Sequence, residues 1–281
     1  ICDDLCTNAM INISGKTLQD LEFESVIQQV AFHNVTTLGK TEVLATLPFS
    51  ERADVLEALQ LTNEFVSSFD NENRIPNHGF DAITEQLKLI RIENNYLEID
   101  GFRRIASICV TTTLLLKFFK KFHEYYPLLH KVSLQLEPNK EIPEAIYSVV
   151  DKFGEIRNDA SDTLYTLRKS IQAVRIKINT SFNSALSTYN GMDYLDDIRE
   201  TVMENRRVLA VKAMYRRKVK GSILGASKTG SIVYIEPDTT QQHQRDLNNL
   251  AFEETEEIKR ILLELTSFIS GFSPLLESYQ K

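Results

Sequence analysis

The chain has 281 residues, of which 42% are hydrophobic and 25% charged, and its formal net charge is −7. That size and composition are typical of one large or two modest folded domains. No apolar run reaches the roughly 18–20 residues that span a bilayer, and the acidic start lacks the basic region of a signal peptide. We therefore expect a cytoplasmic protein with no membrane partner.

The first half reads as a series of helices. A helix entry at residues 17–20 precedes apolar residues at helical spacing, and further helices are predicted at 39–47, from Ser50, at 82–90 and at 100–126. Residues 70–79, which contain Pro76 and Gly79, are predicted to form a loop. Together these segments predict one compact helical domain.

Two long helices are predicted in the second half. Ser161 is a suitable N-cap, and the apolar residues after it follow a strict 3-4-3-4 spacing: Leu164, Leu167, Ile171, Val174 and Ile178. A matching series, interrupted only at Glu254, lies near the C-terminus: Leu247, Leu250, Ile258, Ile261, Leu265 and Phe268. Single seams of this kind predict that the two helices pack antiparallel. Two unrelated amphipathic helices are the alternative.

Three short strands are predicted between those helices, at 207–215, 218–224 and 231–235, with a turn at 225–230. Residues 205–235 contain eight basic side chains and no Asp or Glu, so the remainder of the chain carries −15. The basic residues are Arg206, Arg207, Lys212, Arg216, Arg217, Lys218, Lys220 and Lys228. Alternation predicts that Lys218 and Lys220 point outward while Val219 packs inward.

Lysine, arginine, hydroxyl groups and bare N–H groups contact phosphate oxygens without reading base sequence. The basic residues, with Ser227 and Thr229 of the turn, are therefore predicted to bind the backbone of a nucleic acid. Tyr215 and Tyr234 either stack on bases or fill the small core of this region. A solvated basic face without a ligand is the alternative interpretation.

The sequence gives little support for nucleotide binding, catalysis or metal binding within this chain. Gly15-Lys16-Thr17 and Gly39-Lys40-Thr41 end like a phosphate loop but lack its first glycine and its preceding strand. The five histidines are scattered, and Cys2 and Cys6 have no partners that would complete a metal set. Cys109 is predicted to be a core residue. We expect no catalytic residue, cofactor or metal in this chain.

An acidic group precedes the basic region. Asp193, Asp197, Glu200 and Glu204 fall at helical spacing, with Asp196 adjacent. One interpretation is a cluster for a divalent metal, since hard cations prefer several carboxylate oxygens. The other is a solvated acidic face that partly neutralises the neighbouring basic strands.

The basic region also carries a family resemblance. Residues 205–212, 219–221 and 230–237 resemble the clamp segment of the second bacterial MutS lineage, the anti-recombination ATPases that usually carry a C-terminal Smr nuclease domain. Residues 18–23, 38–40 and 159–161 resemble other parts of those proteins. The resemblance extends over nearly the whole chain from about Thr17.

The resemblance implies a mainly α fold, with a helical core domain and long antiparallel lever helices that carry a small antiparallel β clamp at their tip. The corresponding boundaries are an N-terminal extension at 1–16, core domain at 17–143, ascending lever helices at 144–205, β clamp at 206–236 and descending lever helix at 237–281. Met10 is a candidate natural start, in which case residues 1–9 are foreign or mis-called sequence.

In function, the resemblance implies a clamp that contacts branched or duplex DNA in suppression of recombination or in DNA repair. The resemblance also implies a longer parent protein whose ATPase domain begins near Lys281. That domain would bind ATP and Mg²⁺ and form a homodimer, and a nuclease domain would carry any endonuclease activity. The alternative is a quality-control factor whose clamp contacts stalled ribosomes.

Overall fold

A computed structural model of the chain describes residues 13–70 and 72–280. The fold is mainly α, with one small antiparallel sheet, as predicted. Cys2, Cys6 and Met10 lie outside the described residues. In the part of the chain that is described, no helix is both long and apolar enough to cross a membrane.

The elements follow one another in a simple order along the chain. Eight helices precede the longest pair and the sheet in the described residues: α1 (Gly15–Asp20), α2 (Phe23–Phe32), α3 (Thr37–Leu44), α4 (Arg52–Ser67), α5 (Thr84–Leu89), α6 (Ile99–Lys121), α7 (Pro127–Ser133) and α8 (Glu141–Val149). The rest are α9 (Asp162–Gly191), β1 (Leu195–Met203), β2 (Arg206–Lys212), β3 (Gly221–Ala226), β4 (Ile232–Pro237), α10 (Asp238–Ser270) and α11 (Ser273–Ser278).

The chain divides into two compact units. The first comprises residues up to Glu155 together with those from Leu262 onward, and the second comprises Ile156–Ile261. The second unit therefore contains α9, the whole sheet and most of α10. The finer boundaries expected for extension, core, lever and clamp remain predictions.

Helix α6 is the centre of the first unit. Its side chains Phe102, Ile105, Ile108 and Cys109 are fully buried, which follows from their 3-4 spacing along one helical face. Burial raises the pKa of the Cys109 thiol to about 12, as expected for an inert core residue. The prediction that Cys109 belongs to the core is confirmed.

A carboxylate holds the start of α7. Pro127 occupies the first turn of this helix, and the Glu64 carboxylate of α4 accepts hydrogen bonds from the N–H groups of Leu128 and Leu129 at 3.0–3.1 Å. A negative charge at a helix N-terminus satisfies otherwise unpaired donors and opposes the helix dipole. Glu64 thereby connects α4 to the rest of the first unit.

The first four helices contribute little to the core. Within residues 13–70, only Ala31 and Ser68 are buried, whereas Phe32 is 82% exposed and Leu47 75% exposed. The apolar residues that predicted these helices do mark helical faces, but those faces are largely uncovered. The buried core of the first unit is built from Ile83 onward.

In the second unit, α9 and α10 run antiparallel. Ser161 donates to Glu257 at 2.6 Å, Arg168 to Glu254 at 2.7 Å, and Ser181 to the carbonyl of Thr239 at 2.9 Å. Along these three contacts the residue numbers rise in α9 while they fall in α10. The predicted antiparallel arrangement is therefore confirmed. The seam of α9 is also confirmed, since Leu164 and Ile171 are buried.

The seam of α10 differs from its prediction. At the turn of α10 where the seam predicted Ile258, the buried residue is Glu257 instead. Phe268, also predicted to lie in the seam, is 43% exposed. Glu254, which interrupts the apolar series, accepts from Arg168 of α9. Hydrogen bonds from Arg260 and Ser161 lower the pKa of Glu257 to about 2 despite its burial. Polar pairs therefore replace apolar contacts over this part of the seam.

Glu257 gives the second unit an acid-dependent stability. Its folded pKa lies below the ordinary value of 4.5, so its contribution is complete above that value and is lost as the pH falls toward 2. We expect Glu257→Gln to lower the free energy of unfolding by about 2 kcal/mol near neutral pH and by much less near pH 2.5. Urea denaturation at the two pH values measures the difference.

Glu256→Gln is the matched control, because Glu256 is half exposed and pairs with Lys259 on its own helix. A cost for Glu257→Gln that is equal at both pH values would contradict the assignment.

Candidate nucleic-acid interface

The sheet has four antiparallel strands in the order β1-β2-β4-β3. The sequence predicted three of them. The acidic stretch before β2, predicted from its spacing to be helical, instead forms strand β1 and pairs with β2 from Leu195–Val211 to Met203–Arg206. The helical interpretation of Asp193, Asp197, Glu200 and Glu204 is therefore wrong.

Local backbone geometry explains this error. Glu204 and Asn205 both have positive φ, 49° and 59°, which makes the tight reversal of a hairpin between β1 and β2. The register slips between Leu195 and Glu200, so the residues between them form a bulge. Such a bulge permits a spacing of three or four between acidic residues without helical structure. No group of three His, Cys, Asp or Glu side chains is placed to hold a metal within the described residues.

One face of the sheet packs on the end of α9. Phe182 of α9 is buried against Leu209 and Val211 of β2 and Val233 and Ile235 of β4. These strand positions alternate along each strand, so they share one face of the sheet; Val208 and Ala210, on the other face of β2, are buried as well. The far end of α9 is thus fixed to the sheet by an apolar core.

Residues 213–220 connect β2 to β3 across this core. Val219 in the connection is 4% exposed and belongs to the core, while Lys218 and Lys220 on either side are exposed. The predicted alternation is therefore confirmed, although the predicted strand at 218–224 starts only at Gly221. A side chain at Gly221 would collide with the backbone carbonyl of Glu236, so β3 approaches β4 closely there.

Three of the predicted binding residues are held in ion pairs. Arg206 donates to Glu236 at 3.0 Å, Arg207 to Glu200 at 2.6 Å and Lys212 to Asp193 at 2.9 Å. The hydrogen bond with Asp193 raises the pKa of Lys212 above its ordinary value. The Glu236 side chain is only 4% exposed, and its partnership with Arg206 could not be read from the sequence because 30 residues separate the two.

Arg207 makes the most contacts of the three. Besides Glu200, its guanidinium donates to Asn179 and Asn183 of α9 at 3.3 and 3.2 Å and lies 4.2 Å from the ring centroid of Phe182. A guanidinium that is planar and rich in donors suits this combination of stacking and hydrogen bonding. Arg207 therefore joins α9, β1 and β2.

The other five cations are exposed and, in the part of the chain that is described, form no ion pair: Arg216, Arg217, Lys218, Lys220 and Lys228. Four of them lie in the 213–220 connection, and Lys228 lies in the turn between β3 and β4. Hereafter we call the four residues Arg216, Arg217, Lys218 and Lys220 the basic connection. The structure thus separates the predicted cations into a paired group and an exposed group.

The turn after β3 is held by its own hydroxyl groups. Ser227 accepts from the N–H of Ile232 at 3.1 Å, and the hydroxyls of Thr229 and Ser231 lie 2.8 Å apart. Gly230 has a φ of 71°, which favours glycine. Ser227 therefore has a structural partner, whereas Thr229 and Lys228 are exposed.

The tyrosines of this region pack on one another. Tyr194 and Tyr215 stack with ring centroids 4.6 Å apart, and Tyr189 lies 6.4 Å from Tyr194. Tyr215 and Tyr234 are each partly buried. Of the two roles considered for Tyr215, the packing role has a direct partner in the structure.

Relatives named Endonuclease MutS2 match most of the chain. The protein from Symbiobacterium thermophilum is 28% identical over 256 residues, which cover 91% of this chain and 32% of the relative. The chain is similar to MutS2 proteins over most of its length. The resemblance to the second bacterial MutS lineage is thereby confirmed.

Two further MutS2 relatives show the same coverage. The Geobacillus sp. protein is 28% identical over 264 residues, which cover 93% of this chain and 34% of the relative. The Aquifex aeolicus protein is 25% identical over 266 residues, covering 94% and 34%. The chain thus spans about a third of the length of the curated MutS2 proteins it matches. No protein-family profile matches the chain.

Arg206 is expected to be structural. Arg206→Ala leaves the buried Glu236 carboxylate without its cation and should lower the stability of the sheet by about 2–4 kcal/mol. Thermal unfolding, together with hydrogen exchange of the amides paired between β2 and β4, measures the loss. A second change, Glu236→Gln, should restore much of it because the uncompensated charge is removed.

Arg216→Ala is the control for stability, since Arg216 is exposed and an exposed substitution changes stability by about 0.5 kcal/mol or less. Equal effects of Arg206→Ala and Arg216→Ala would contradict the structural role.

Proposed function

We propose that this chain is the nucleic-acid-binding part of a MutS-type ATPase and that its sheet contacts the backbone of branched or duplex DNA in suppression of recombination or in DNA repair. The observation that carries the proposal is the basic connection: four exposed cations within five residues, with no ion-pair partner among the residues that the structure describes. Lys228 adds a fifth exposed charge in the β3–β4 turn.

The expected contacts are electrostatic and independent of base sequence. Lys and Arg bind phosphate oxygens and release condensed counterions, which makes the affinity depend steeply on salt. Arg206, Arg207 and Lys212 already have carboxylate partners, so they contribute mainly to stability. The proposed contact set is therefore the basic connection with Lys228 and Thr229.

The distribution of charge favours one direction of approach. Strand β1 forms one edge of the sheet, and Asp193, Asp197 and Glu204 at that edge are exposed. The basic connection leads into β3, which forms the other edge. A polyanion is repelled by exposed carboxylates and attracted to exposed cations, so the proposed binding surface is the basic connection itself.

The activities of a whole MutS2 protein are a wider proposal. The relatives are named endonucleases, and we propose a longer parent that binds ATP and Mg²⁺, forms a homodimer through its ATPase domain and acts in the cytoplasm. In that arrangement two copies of the sheet enclose one nucleic acid. The chain's own contribution is binding.

Contact with stalled ribosomes uses the same exposed cations, and no observation on this chain favours it over DNA. Ribosomal RNA presents the same phosphate chemistry, so the two partners are separated by experiment: cosedimentation with ribosomes alongside a DNA-binding assay.

Replacing the basic connection tests the proposal. We expect the wild-type chain to bind a four-way DNA junction with a log K that falls against log[salt] at a slope of about −3 to −4, for four neutralised phosphates. The variant with Arg216, Arg217, Lys218 and Lys220 changed to Ala should bind at least tenfold more weakly and with a shallower slope. Fluorescence anisotropy across a salt series measures both quantities.

The matched control changes four exposed lysines of the first unit, Lys88, Lys117, Lys120 and Lys140, to Ala. It alters the net charge equally, so a local contact predicts that it binds nearly as the wild type does. Unchanged DNA binding by the basic-connection variant, or an equal loss in both variants, would refute the proposal.

A further inference from the structure

Lys218 differs from the other exposed cations in its surroundings. Its Nζ atom lies 5.6 Å from the ring centroid of Tyr194 and 5.6 Å from that of Tyr215. Within the described residues, no aromatic ring lies at comparable range from Arg216, Arg217, Lys220 or Lys228. Among the exposed cations, Lys218 therefore has a cation–π environment of its own.

The two rings are themselves fixed. Tyr194 and Tyr215 are stacked with an interplanar angle of 24°, and Tyr189 of α9 continues the stack beyond Tyr194. Both tyrosines pack against the apolar core around Phe182. The faces that meet Lys218 are therefore part of the folded sheet unit.

The backbone at Lys218 is also restrained. Its N–H donates to the carbonyl of Tyr215 at 2.8 Å, and the next residue, Val219, is buried in the core. The side chain nevertheless remains exposed, so its ammonium keeps donors that face solvent. The main chain is held and the ammonium lies beside the two rings, while the charge stays available to a ligand.

We infer that Lys218 is a pre-positioned phosphate contact and that Tyr194 and Tyr215 are the residues that position it. This inference rests on the proposed function. A free lysine loses much rotamer freedom when it binds a phosphate, and a side chain that is already ordered loses less, which favours binding. Lys218 then contributes more affinity than Arg216 or Arg217, which have no cation–π contact in the part of the chain that is described.

A double-mutant cycle tests the inference with the same four-way junction. Lys218→Met should weaken binding about five- to tenfold and make the salt slope shallower by about 0.9, the value for one phosphate. Tyr215→Leu should weaken binding about two- to fivefold, in the range of an exposed cation–π contact. Tyr215→Phe keeps the ring and should bind as the wild type does.

The decisive measurement is Tyr215→Leu in the Lys218→Met background. If Tyr215 acts by positioning Lys218, the tyrosine change has no further effect there. If Tyr215 only supports the fold, Tyr215→Leu weakens binding equally in both backgrounds. Tyr234→Leu is the control. Tyr234 is a partly buried tyrosine on β4, and the described rings beside Lys218 are those of Tyr194 and Tyr215, so this change should show no coupling to Lys218→Met.

The outcomes separate the two proposals. If the basic-connection variant binds DNA as the wild type does, the proposed function fails. If that variant loses binding but Lys218→Met behaves like Arg216→Ala, or Tyr215→Leu costs the same in both backgrounds, the positioning role fails and the proposed function stands. Circular dichroism and thermal unfolding of each variant identify any loss of fold.

Discussion

Arg207 makes the interaction on which the geometry of the sheet unit depends. Its guanidinium meets a carboxylate on β1, two amides on α9 and the face of Phe182. A cation at an apolar boundary is tolerated only when its donors are satisfied, and here three elements supply the partners. Arg207 therefore joins the sheet to residues 179–183 of α9.

Charge has two separate uses in the second unit. The long helices are held together by two polar pairs where apolar residues are absent, Arg168 with Glu254 and Ser161 with Glu257. A third pair, Arg206 with Glu236, joins β2 to β4. In the part of the chain that is described, the basic connection forms no ion pair, and residues 205–235 contain no Asp or Glu that could supply a nearby partner. Stability and the proposed binding thus draw on different cations of one basic stretch.

Much of this organisation was predictable because it is encoded in local patterns. The 3-4 spacing from Leu164 predicts the seam of α9, and alternation about Val219 predicts which lysines point outward. The failures arise from non-local features. The acidic stretch before β2 becomes a bulged strand only by pairing with β2, so its own residue spacing does not predict that strand. The Arg206–Glu236 pair likewise depends on the register between β2 and β4.

The bulge in β1 has a consequence for solubility of the folded sheet. Both outer strands, β1 and β3, have one side without a partner strand in the described residues, and such edges template aggregation when they are regular and apolar. The bulge breaks the ladder of β1, where Asp197 is exposed beside Ile198, and Lys220 and Lys228 flank β3. The interrupted ladder and these charges thereby oppose edge-to-edge pairing between copies of the chain.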